Sequence, residues 1–227
     1  MKVIGIIQAR MGSSRLPNKM MLSLNGKPII EWVVRRVKKS KLLDDIVVAI
    51  PNTKKDDILE KYLKKLDIKV FRGDEKNVLK RFYDAVKLSN PDTIVRVCAD
   101  NPLICPKEID NLIEFYKKYS PDYAYNHIPR NNLYPDGLGA EIIPFELLKW
   151  LNENVTEDRH KEHCFSYITD NSDKFNIMTF NPLNKELYHP EIKLDIDTFE
   201  DYYKLALKDI NINMNAKNII KLFKDEV

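Results

Sequence analysis

Strand-like apolar runs alternate with helical patterns through the first half of the chain, and this alternation constrains the fold most strongly. A helical pattern follows each run. The first begins at Pro28, and the other three cover residues 56–66, 78–88 and 106–119. Strand–helix units with short connections predict an α/β fold whose parallel sheet is covered by helices on both faces. Sheets of this kind bind ligands where the carboxyl ends of their strands meet. The predicted strands cover residues 3–9, 45–51, 68–71 and 93–98.

The pattern changes after Pro121. Residues 122–145 mix short β signals with prolines and glycines, which predicts a small β excursion or hairpin arm. Asn215 is predicted to cap a last helix. We expect residues 1–227 to form a single domain. The other elements predicted in this half are helices over 145–152, 157–170 and 199–208, a strand over 175–180 and a further sheet edge at LDIDT (194–198).

The charge balance argues against two classes of partner. Lys and Arg total 37 against 34 Asp and Glu, so the formal net charge is only +3. A dedicated nucleic-acid or membrane-surface binder would carry a concentrated excess of one sign. No apolar stretch approaches the roughly 18 residues of a membrane span, and the short apolar run before Arg10 predicts no targeting segment. Three cysteines without a C-x-x-C pair favour reduced thiols and a cytoplasmic location.

The loop that follows the first strand concentrates cations. Its sequence, QARMGSSRLPNK (8–19), carries Arg10, Arg15 and Lys19, with Gly12 and Ser13 between them. Glycine lets the backbone approach a ligand, neighbouring N–H groups can cradle phosphate oxygens, and arginine supplies planar donors. The loop lacks the G-x-x-x-x-G-K-[ST] pattern of a Walker A loop. Its position at the end of a first strand predicts a triphosphate site, against the alternative of a solvated, charged turn.

Two aspartates are predicted to face this loop. Asp100 follows the fourth strand in CADNPLI, and Asp197 lies in LDIDT before a helix. Both should reach the carboxyl edge of the sheet, where carboxylates can hold Mg²⁺ against phosphates in nucleotidyl transfer. Asp195 lies two residues before Asp197, so the second ligand could be either of them. For each aspartate the alternative is a helix cap or a turn residue.

The first loop also carries a resemblance. IIQARMGSSRLPNKM resembles the signature of the cytidylyltransferases that activate acidic sugars, the CMP-Kdo synthetases and acylneuraminate cytidylyltransferases. The likeness is strongest to the subgroup of spore coat polysaccharide biosynthesis protein F. It continues in order over about nine-tenths of the chain, from Val3 to Tyr203. The further blocks are VFRGDEKNVLKRFYDA, VRVCADNPLICPKEID, YPDGLGAEII, KEHCFSYI and LDIDTFEDY.

The resemblance implies a three-layer, nucleotide-diphospho-sugar transferase-like (Rossmann-like) fold with a small dimerisation excursion, and a homodimer. It implies a Mg²⁺-dependent enzyme that transfers CMP from CTP to an acidic sugar, such as a nonulosonate or Kdo, and releases pyrophosphate for surface polysaccharide or glycan synthesis. The implied nucleotide-binding residues are Ala9, Arg10, Gly12, Ser13, Arg15, Lys19, Arg72 and Asp100. The resemblance further implies that Arg10, Lys19 and Asp100 are catalytic, that Asp100 and Asp197 bind metal, and that Asp136, Glu141 and His163 contact the acceptor.

For several residues, and for the function itself, the sequence leaves an alternative open. Arg81 lies either near the nucleotide base or on a solvated helix face. His160 and His163 stand three residues apart, but zinc would need more ligands and no nearby cysteine pair supplies them. Asp136 belongs to a P-D-G turn whatever the function. The rival functions are a nucleotidylyltransferase acting on a sugar 1-phosphate or another phosphorylated acceptor, a nucleotide-sugar-dependent glycosyltransferase on the same fold, and a non-catalytic nucleotide sensor.

Overall fold

The computed structural model describes residues 1–224 of the chain. Its strands are β1 (Val3–Gln8), β2 (Ser23–Leu24), β3 (Lys27–Pro28), β4 (Asp45–Pro51), β5 (Val70–Gly73), β6 (Thr93–Cys98), β7 (Tyr123–Tyr125), β8 (Glu141–Pro144) and β9 (Ile177–Thr179). Its α-helices are α1 (Ile29–Val37), α2 (Asp57–Lys65), α3 (Val78–Val86), α4 (Pro106–Tyr119), α5 (Phe145–Asn154), α6 (Asp158–Glu162), α7 (Ser166–Asp170), α8 (Phe199–Ala206) and α9 (Ala216–Phe223).

Seven of the strands in this described part form one sheet, in the order β5-β4-β1-β6-β8-β7-β9. β1 pairs in parallel with both β4 and β6, and β4 pairs in parallel with β5. β8 runs antiparallel to β6 and β7, and β7 pairs in parallel with β9. The predicted α/β fold with a mostly parallel sheet is therefore confirmed. The chain proceeds from β1 to β4 on one side and later returns to β6 on the other, so a ligand is expected outside the carboxyl ends of β1 and β6.

Helices cover both faces of the sheet because successive side chains of a strand point to opposite sides. In β1, Val3 and Ile7 are buried in a core that includes residues of α1 and α4. Ile4 and Ile6 are buried in a second core, with residues of α3 and α5. Each fully buried aliphatic side chain stabilises the fold by about 1.5–3 kcal/mol. These two cores hold β1 and β6 in place, and with them the loops at their carboxyl ends.

Two predictions for the second half are wrong. The helix predicted over 157–170 is broken into α6 and α7 at His163, whose backbone is not helical (φ −97°, ψ 69°), and Cys164 and Phe165, which follow it, are buried in the core formed with α3 and α5. LDIDT forms no strand, although all of its residues are described. Its backbone N–H groups at Leu194 and Ile196 donate instead to the carbonyl oxygens of Asp136 (3.0 Å) and Asp100 (2.8 Å). This segment therefore joins two loops rather than extending the sheet.

Residues 122–145 contribute β7 and β8 to the main sheet instead of projecting from it. The connection between these strands packs on α4. There the Tyr134 hydroxyl donates to Glu108 Oε2 (2.6 Å), and Asn126 Nδ2 donates to the Glu108 carbonyl (2.9 Å). Gly139 passes so close to Asn126 that a Cβ atom would lie 2.2 Å from its carbonyl oxygen. A role of this segment in dimerisation stays a prediction.

Candidate membrane segments were sought along residues 1–224. None of the helices in this range combines the length and the apolar character that crossing a membrane requires.

Candidate active site

The loop after β1 is shaped by hydrogen bonds around Met11. The Met11 carbonyl accepts from the N–H groups of Ser13 (3.0 Å) and Asn18 (3.4 Å), which folds the loop back on itself. The Met11 N–H donates to Oδ1 of Asp56 (2.8 Å), a residue that is 2% exposed. Asn18 adopts the left-handed conformation, with φ 60°, which asparagine tolerates better than most residues. The cationic loop therefore has a defined shape that is anchored to the buried Asp56.

Replacing Asp56 by alanine is expected to loosen this loop. The change removes the acceptor of the Met11 N–H and of the Thr53 hydroxyl, which donates to Asp56 Oδ2 (2.6 Å). Because a buried donor is left without a partner, we expect the free energy of unfolding to fall by about 1–3 kcal/mol. Denaturant unfolding measures the loss. Asp56→Asn keeps an acceptor oxygen and should lose less, so equal losses in the two variants would contradict the role given to this carboxylate.

A cavity of about 200 Å³, here called the first cavity, lies between this loop and the carboxyl ends of β1 and β6. It brings together most of the residues predicted to bind nucleotide and metal. Gly12 lies in the same loop but outside the lining. The lining consists of Gln8, Ala9, Arg10, Ser13, Ser14, Arg15, Lys19, Met20, Arg96, Cys98, Asp100 and Asp197.

Lys19 connects the charges of the first cavity and is only 7% exposed. Its Nζ donates to the Ile196 carbonyl (2.6 Å) and lies 3.4 Å from Asp100 Oδ2 and 3.5 Å from Asp197 Oδ1. Arg15 Nη2 lies 2.8 Å from the same Asp197 oxygen. The positive charges of Arg15 and Lys19 and the negative charges of the two carboxylates therefore balance one another in the first cavity. An anion could replace the carboxylates beside Arg15 and Lys19, and a cation could replace the basic groups beside the carboxylates.

Asp195 does not line the first cavity, whereas Asp197 lines it together with Asp100. Lys193 Nζ lies 3.5 Å from Asp195 Oδ2, while Asp195 Oδ1 is buried without a hydrogen-bond partner. Burial raises the pKa of Asp195; Lys193 opposes this shift, and Asp100 and Asp197 add to it. The lining of the first cavity therefore favours Asp197 over Asp195 as the second metal ligand, which stays a prediction.

Asp100 and Asp197 are suitably placed to hold a divalent cation together. One Lys19 nitrogen reaches both carboxylates, so they face a common point. Within residues 1–224, no group of three or more His, Cys, Asp or Glu converges to hold a metal ion alone. Mg²⁺ is commonly bound by one or two carboxylates, with phosphate oxygens and water completing its shell. This donor pair fits that pattern.

A second cavity, also of about 200 Å³, shares Arg96 with the first. Two of the predicted acceptor residues, Glu141 and His163, line it, whereas Asp136 lines neither cavity. Sequence reasoning missed Arg96. Its period-two spacing from Cys98 and Asp100 along a predicted strand is the signal that could have found it. The other lining residues are Tyr123, His127, Ile128, Arg130, Phe165, Ser166 and Thr169.

Asp136 lies beside the acidic residues instead of in the second cavity. Burial, followed by repulsion from Asp195, raises the pKa of Asp136 to about 7. Its backbone accepts from the Leu194 N–H (3.0 Å) and donates to the Ile192 carbonyl (2.9 Å). Asp136 thus holds the segment that carries Asp197, which is a structural contribution to the site.

Arg72 is not brought to the first cavity, although it was predicted to bind nucleotide. Its Nη1 donates to Asp57 Oδ1 and to Glu60 Oε2, both at 2.7 Å, and its Nη2 donates to the Thr53 carbonyl (2.6 Å). The guanidinium is therefore occupied in joining β5 to the start of α2.

Arg81 and His160 are both buried. Arg81 is 1% exposed, and its Nη1 donates to the Asp74 carbonyl (2.6 Å). The alternative prediction, that Arg81 lies on a solvated helix face, is therefore wrong. His160 is 2% exposed, and its Nδ1 lies 2.7 Å from Ser166 Oγ. Both side chains hold loops around the site.

Arg10 lies between the first cavity and a larger cleft of about 790 Å³. Its Nη1 is 3.4 Å from Glu162 Oε1, and both side chains are about half exposed. An exposed ion pair of this kind contributes about 0–1 kcal/mol, so Arg10 can turn to a stronger anion at small cost. The other lining residues of the cleft are Asp74, Glu75, Lys76, Asn77, Asp158, Arg159 and Lys161.

Comparison with known families and proteins gives one consistent result. A family model described as cytidylyltransferase matches residues 4–223. The chain is 40% identical over 223 residues to an uncharacterized protein of Methanocaldococcus jannaschii, covering 97% of this chain and 89% of that protein. It is 33% identical over 205 residues to the spore coat polysaccharide biosynthesis protein SpsF of Bacillus subtilis, covering 88% and 83%. To the 3-deoxy-manno-octulosonate cytidylyltransferase of Bdellovibrio bacteriovorus it is 33% identical over 118 residues, covering 51% and 46%.

Solved structures extend the comparison. A cytidylyltransferase from Leptospira borgpetersenii superposes with a TM-score of 0.88 at 32% identity, covering 100% of this chain and 95% of that one. A CMP:2-keto-3-deoxy-manno-octonic acid synthetase in complex with CTP superposes with a TM-score of 0.68 at 16% identity, covering 100% of both chains. At that identity the second likeness is one of fold.

Proposed function

Because the chain belongs to the cytidylyltransferase family, we propose that it transfers CMP from CTP to a hydroxyl of an acidic sugar and releases pyrophosphate. The acceptor is a nonulosonate or a Kdo-like acid, and the product serves surface polysaccharide or glycan synthesis. The observation that carries the proposal is the meeting of Arg15 and Lys19 with Asp100 and Asp197 in one cavity. Transfer of a nucleotidyl group needs cations on the phosphates and carboxylates for a divalent ion.

The similar proteins support this acceptor class. One is a spore coat polysaccharide biosynthesis protein, and another is a 3-deoxy-manno-octulosonate cytidylyltransferase. A synthetase for a CMP-linked acidic sugar, which has the same fold, is known in complex with CTP. Because CTP is made and consumed in the cytoplasm, we place the reaction there.

Arg15 and Lys19 would bind the triphosphate. Phosphate oxygens would take the place that Asp197 and Asp100 now have beside the guanidinium and the ammonium group. Arginine offers a planar fork of donors, while lysine offers a compact charge that can follow the phosphate as it departs. Arg10 would turn from Glu162 to the phosphates, which places the nucleoside toward the larger cleft. The same cations would stabilise the negative charge that develops on the leaving pyrophosphate.

Asp100 and Asp197 would hold Mg²⁺. When bound, the ion neutralises phosphate charge and makes the α-phosphorus more susceptible to attack. Because residues 1–224 offer no third converging ligand, its other positions are left to phosphate oxygens and water.

The acceptor would occupy the second cavity, where Glu141 and His163 would contact it. Arg96 is common to both cavities, so an acceptor in the second would lie next to a nucleotide in the first. A bond forms between the acceptor oxygen and the α-phosphorus while the bond from that phosphorus to the pyrophosphate oxygen breaks. The hydroxyl proton is released to solvent.

Pyrophosphate release tests the proposal. The purified chain is incubated with Mg²⁺, each of the four nucleoside triphosphates, and acidic sugars, aldose 1-phosphates or small phosphorylated acceptors. We expect release with CTP and an acidic sugar, with one CMP-sugar formed per pyrophosphate. Preference for another triphosphate or for a sugar 1-phosphate would contradict the proposal. Hydrolysis of a nucleotide sugar without pyrophosphate from CTP would favour a glycosyltransferase, and CTP binding without turnover on any acceptor would favour a sensor.

A homodimer belongs to the same proposal. It is supported by the resemblance of the sequence, which includes the block YPDGLGAEII (134–143) within residues 122–145. Light scattering of the purified chain should then give about twice the mass of one polypeptide.

A further inference from the structure

The acids proposed as acceptors carry their negative group beside the reacting oxygen. In the ring form of a 2-keto sugar acid, the anomeric hydroxyl and the carboxylate are bonded to the same carbon. A protein group that binds this carboxylate must therefore stand close to the point where the acceptor meets the α-phosphate. In this chain that point is the junction of the first and second cavities.

Arg96 lies at this junction, because it is the residue common to both linings. It belongs to β6, two residues before Cys98 and four before Asp100, which both line the first cavity. Its side chain is 17% exposed, so the guanidinium is held by protein and still reaches the cavities.

Two neighbours fix the guanidinium of Arg96. Its Nε donates to Gln8 Oε1 (3.0 Å), and its Nη1 donates to Glu141 Oε2. Glu141 stands directly opposite Arg96 in the pairing of β6 with β8, and its other oxygen accepts from the Tyr123 hydroxyl (2.5 Å). Among residues 1–224, Nη2 of Arg96 has no hydrogen-bond partner. One donor of a rigidly held arginine is therefore left for a ligand.

The rest of the second cavity also favours an anion. Glu141 is the one carboxylate in its lining, and both of its oxygens already accept hydrogen bonds. Arg130 adds a second cation to this lining, and the imidazole side chains of His127 and His163 do not carry negative charge. A carboxylate would be attracted by this arrangement more strongly than a neutral group would be.

We propose that Arg96 binds the carboxylate of the acceptor and so determines the specificity for acidic sugars. Nη2 donates to the carboxylate while Gln8 and Glu141 hold the guanidinium plane. The hydroxyl on the same carbon then faces the first cavity, where Lys19 and Asp100 lie. This inference rests on the proposed function and adds the residue that recognises the acid.

The test compares binding of an acid with binding of its methyl ester. R96M/E141M removes both charges of the buried pair, so that neither charge is left alone in the interior, and such paired replacements commonly preserve stability. R96K keeps the charge but loses the planar fork, and it serves as the second variant. K174Q is the control, because Lys174 is an exposed cation outside both linings. 3-Deoxy-manno-octulosonate, N-acetylneuraminate and their methyl esters are titrated calorimetrically without nucleotide, and CTP is titrated separately.

We expect the wild type and K174Q to bind an acid about 10–100 times more tightly than its ester, as a charged hydrogen bond would produce. R96K should lose most of this preference and R96M/E141M all of it, and the affinity for CTP should fall less than the affinity for the acid. A full preference for the acid in either folded variant overturns the inference. Failure of both acids to bind the wild type overturns it as well. Failure of the wild type to bind CTP, or to release pyrophosphate from it, counts instead against the proposed function.

Discussion

Asp100→Ala should abolish pyrophosphate release from CTP while leaving the domain folded. The change removes one of the two carboxylates that we propose face the phosphates, so we expect kcat/KM to fall by at least about 10³-fold, or roughly 4 kcal/mol of transition-state stabilisation. Lys19 would keep Asp197 and the Ile196 carbonyl as partners. Because the Asp100 side chain is 31% exposed, its loss should change the free energy of unfolding by no more than about 1 kcal/mol. A coupled pyrophosphate assay and denaturant unfolding measure the two quantities.

Asp173→Ala is the matched control for this experiment. Asp173 is exposed and lies outside both cavities, so the same chemical change should leave the rate at the wild-type value. Near wild-type turnover of Asp100→Ala would remove this carboxylate from the reaction. A large loss of stability in Asp100→Ala would show instead that the aspartate is mainly structural.

The sheet and the cationic loop could be predicted from the sequence because both are encoded locally. The run DIVVAIP forms β4 and TIVRVC forms β6 with the predicted bounds, since an apolar, β-branched segment fits a strand buried on both faces. Parallel strands bring their carboxyl ends to one edge of the sheet. Residues that follow different strands, such as Lys19 and Asp100, could therefore be expected to meet there, and in the structure they do.

The remaining features depend on contacts between distant parts of the chain. The pairing of Arg96 with Glu141 arises from the register between β6 and β8, which a reading of each segment by itself does not provide. Arg72, in β5, and Arg15, in the loop after β1, are the same kind of residue. Arg72 is held by Asp57 and Glu60, which precede it by 15 and 12 residues, and so it cannot be assigned by residue type. The break between α6 and α7 at His163 likewise lies beside residues, Cys164 and Phe165, whose burial is a feature of the folded chain and not of the local sequence.

Lys19→Met is the second change for which we expect a large effect. The ammonium group lies between both carboxylates and would face the triphosphate, so its removal should lower kcat by about 10²–10³-fold. In the absence of nucleotide, Asp100 would lose its cation, while Asp197 would keep Arg15 (2.8 Å). We therefore expect the variant to gain more thermal stability than the wild type when Mg²⁺ is added without nucleotide, because the ion would replace the lost positive charge between the carboxylates.

Lys19→Arg separates the charge of Lys19 from its shape. Arginine restores a positive charge near Asp100 and Asp197, so the additional stabilisation by Mg²⁺ should disappear, yet the larger planar group cannot reproduce the contact of Nζ with the buried Ile196 carbonyl (2.6 Å). Turnover of Lys19→Arg should thus lie between that of Lys19→Met and the wild type. Scanning calorimetry with and without Mg²⁺, together with the pyrophosphate assay, provides both readouts. If Mg²⁺ stabilised Lys19→Met and the wild type equally, Lys19 would not be the cation that keeps the two carboxylates together before the substrates bind.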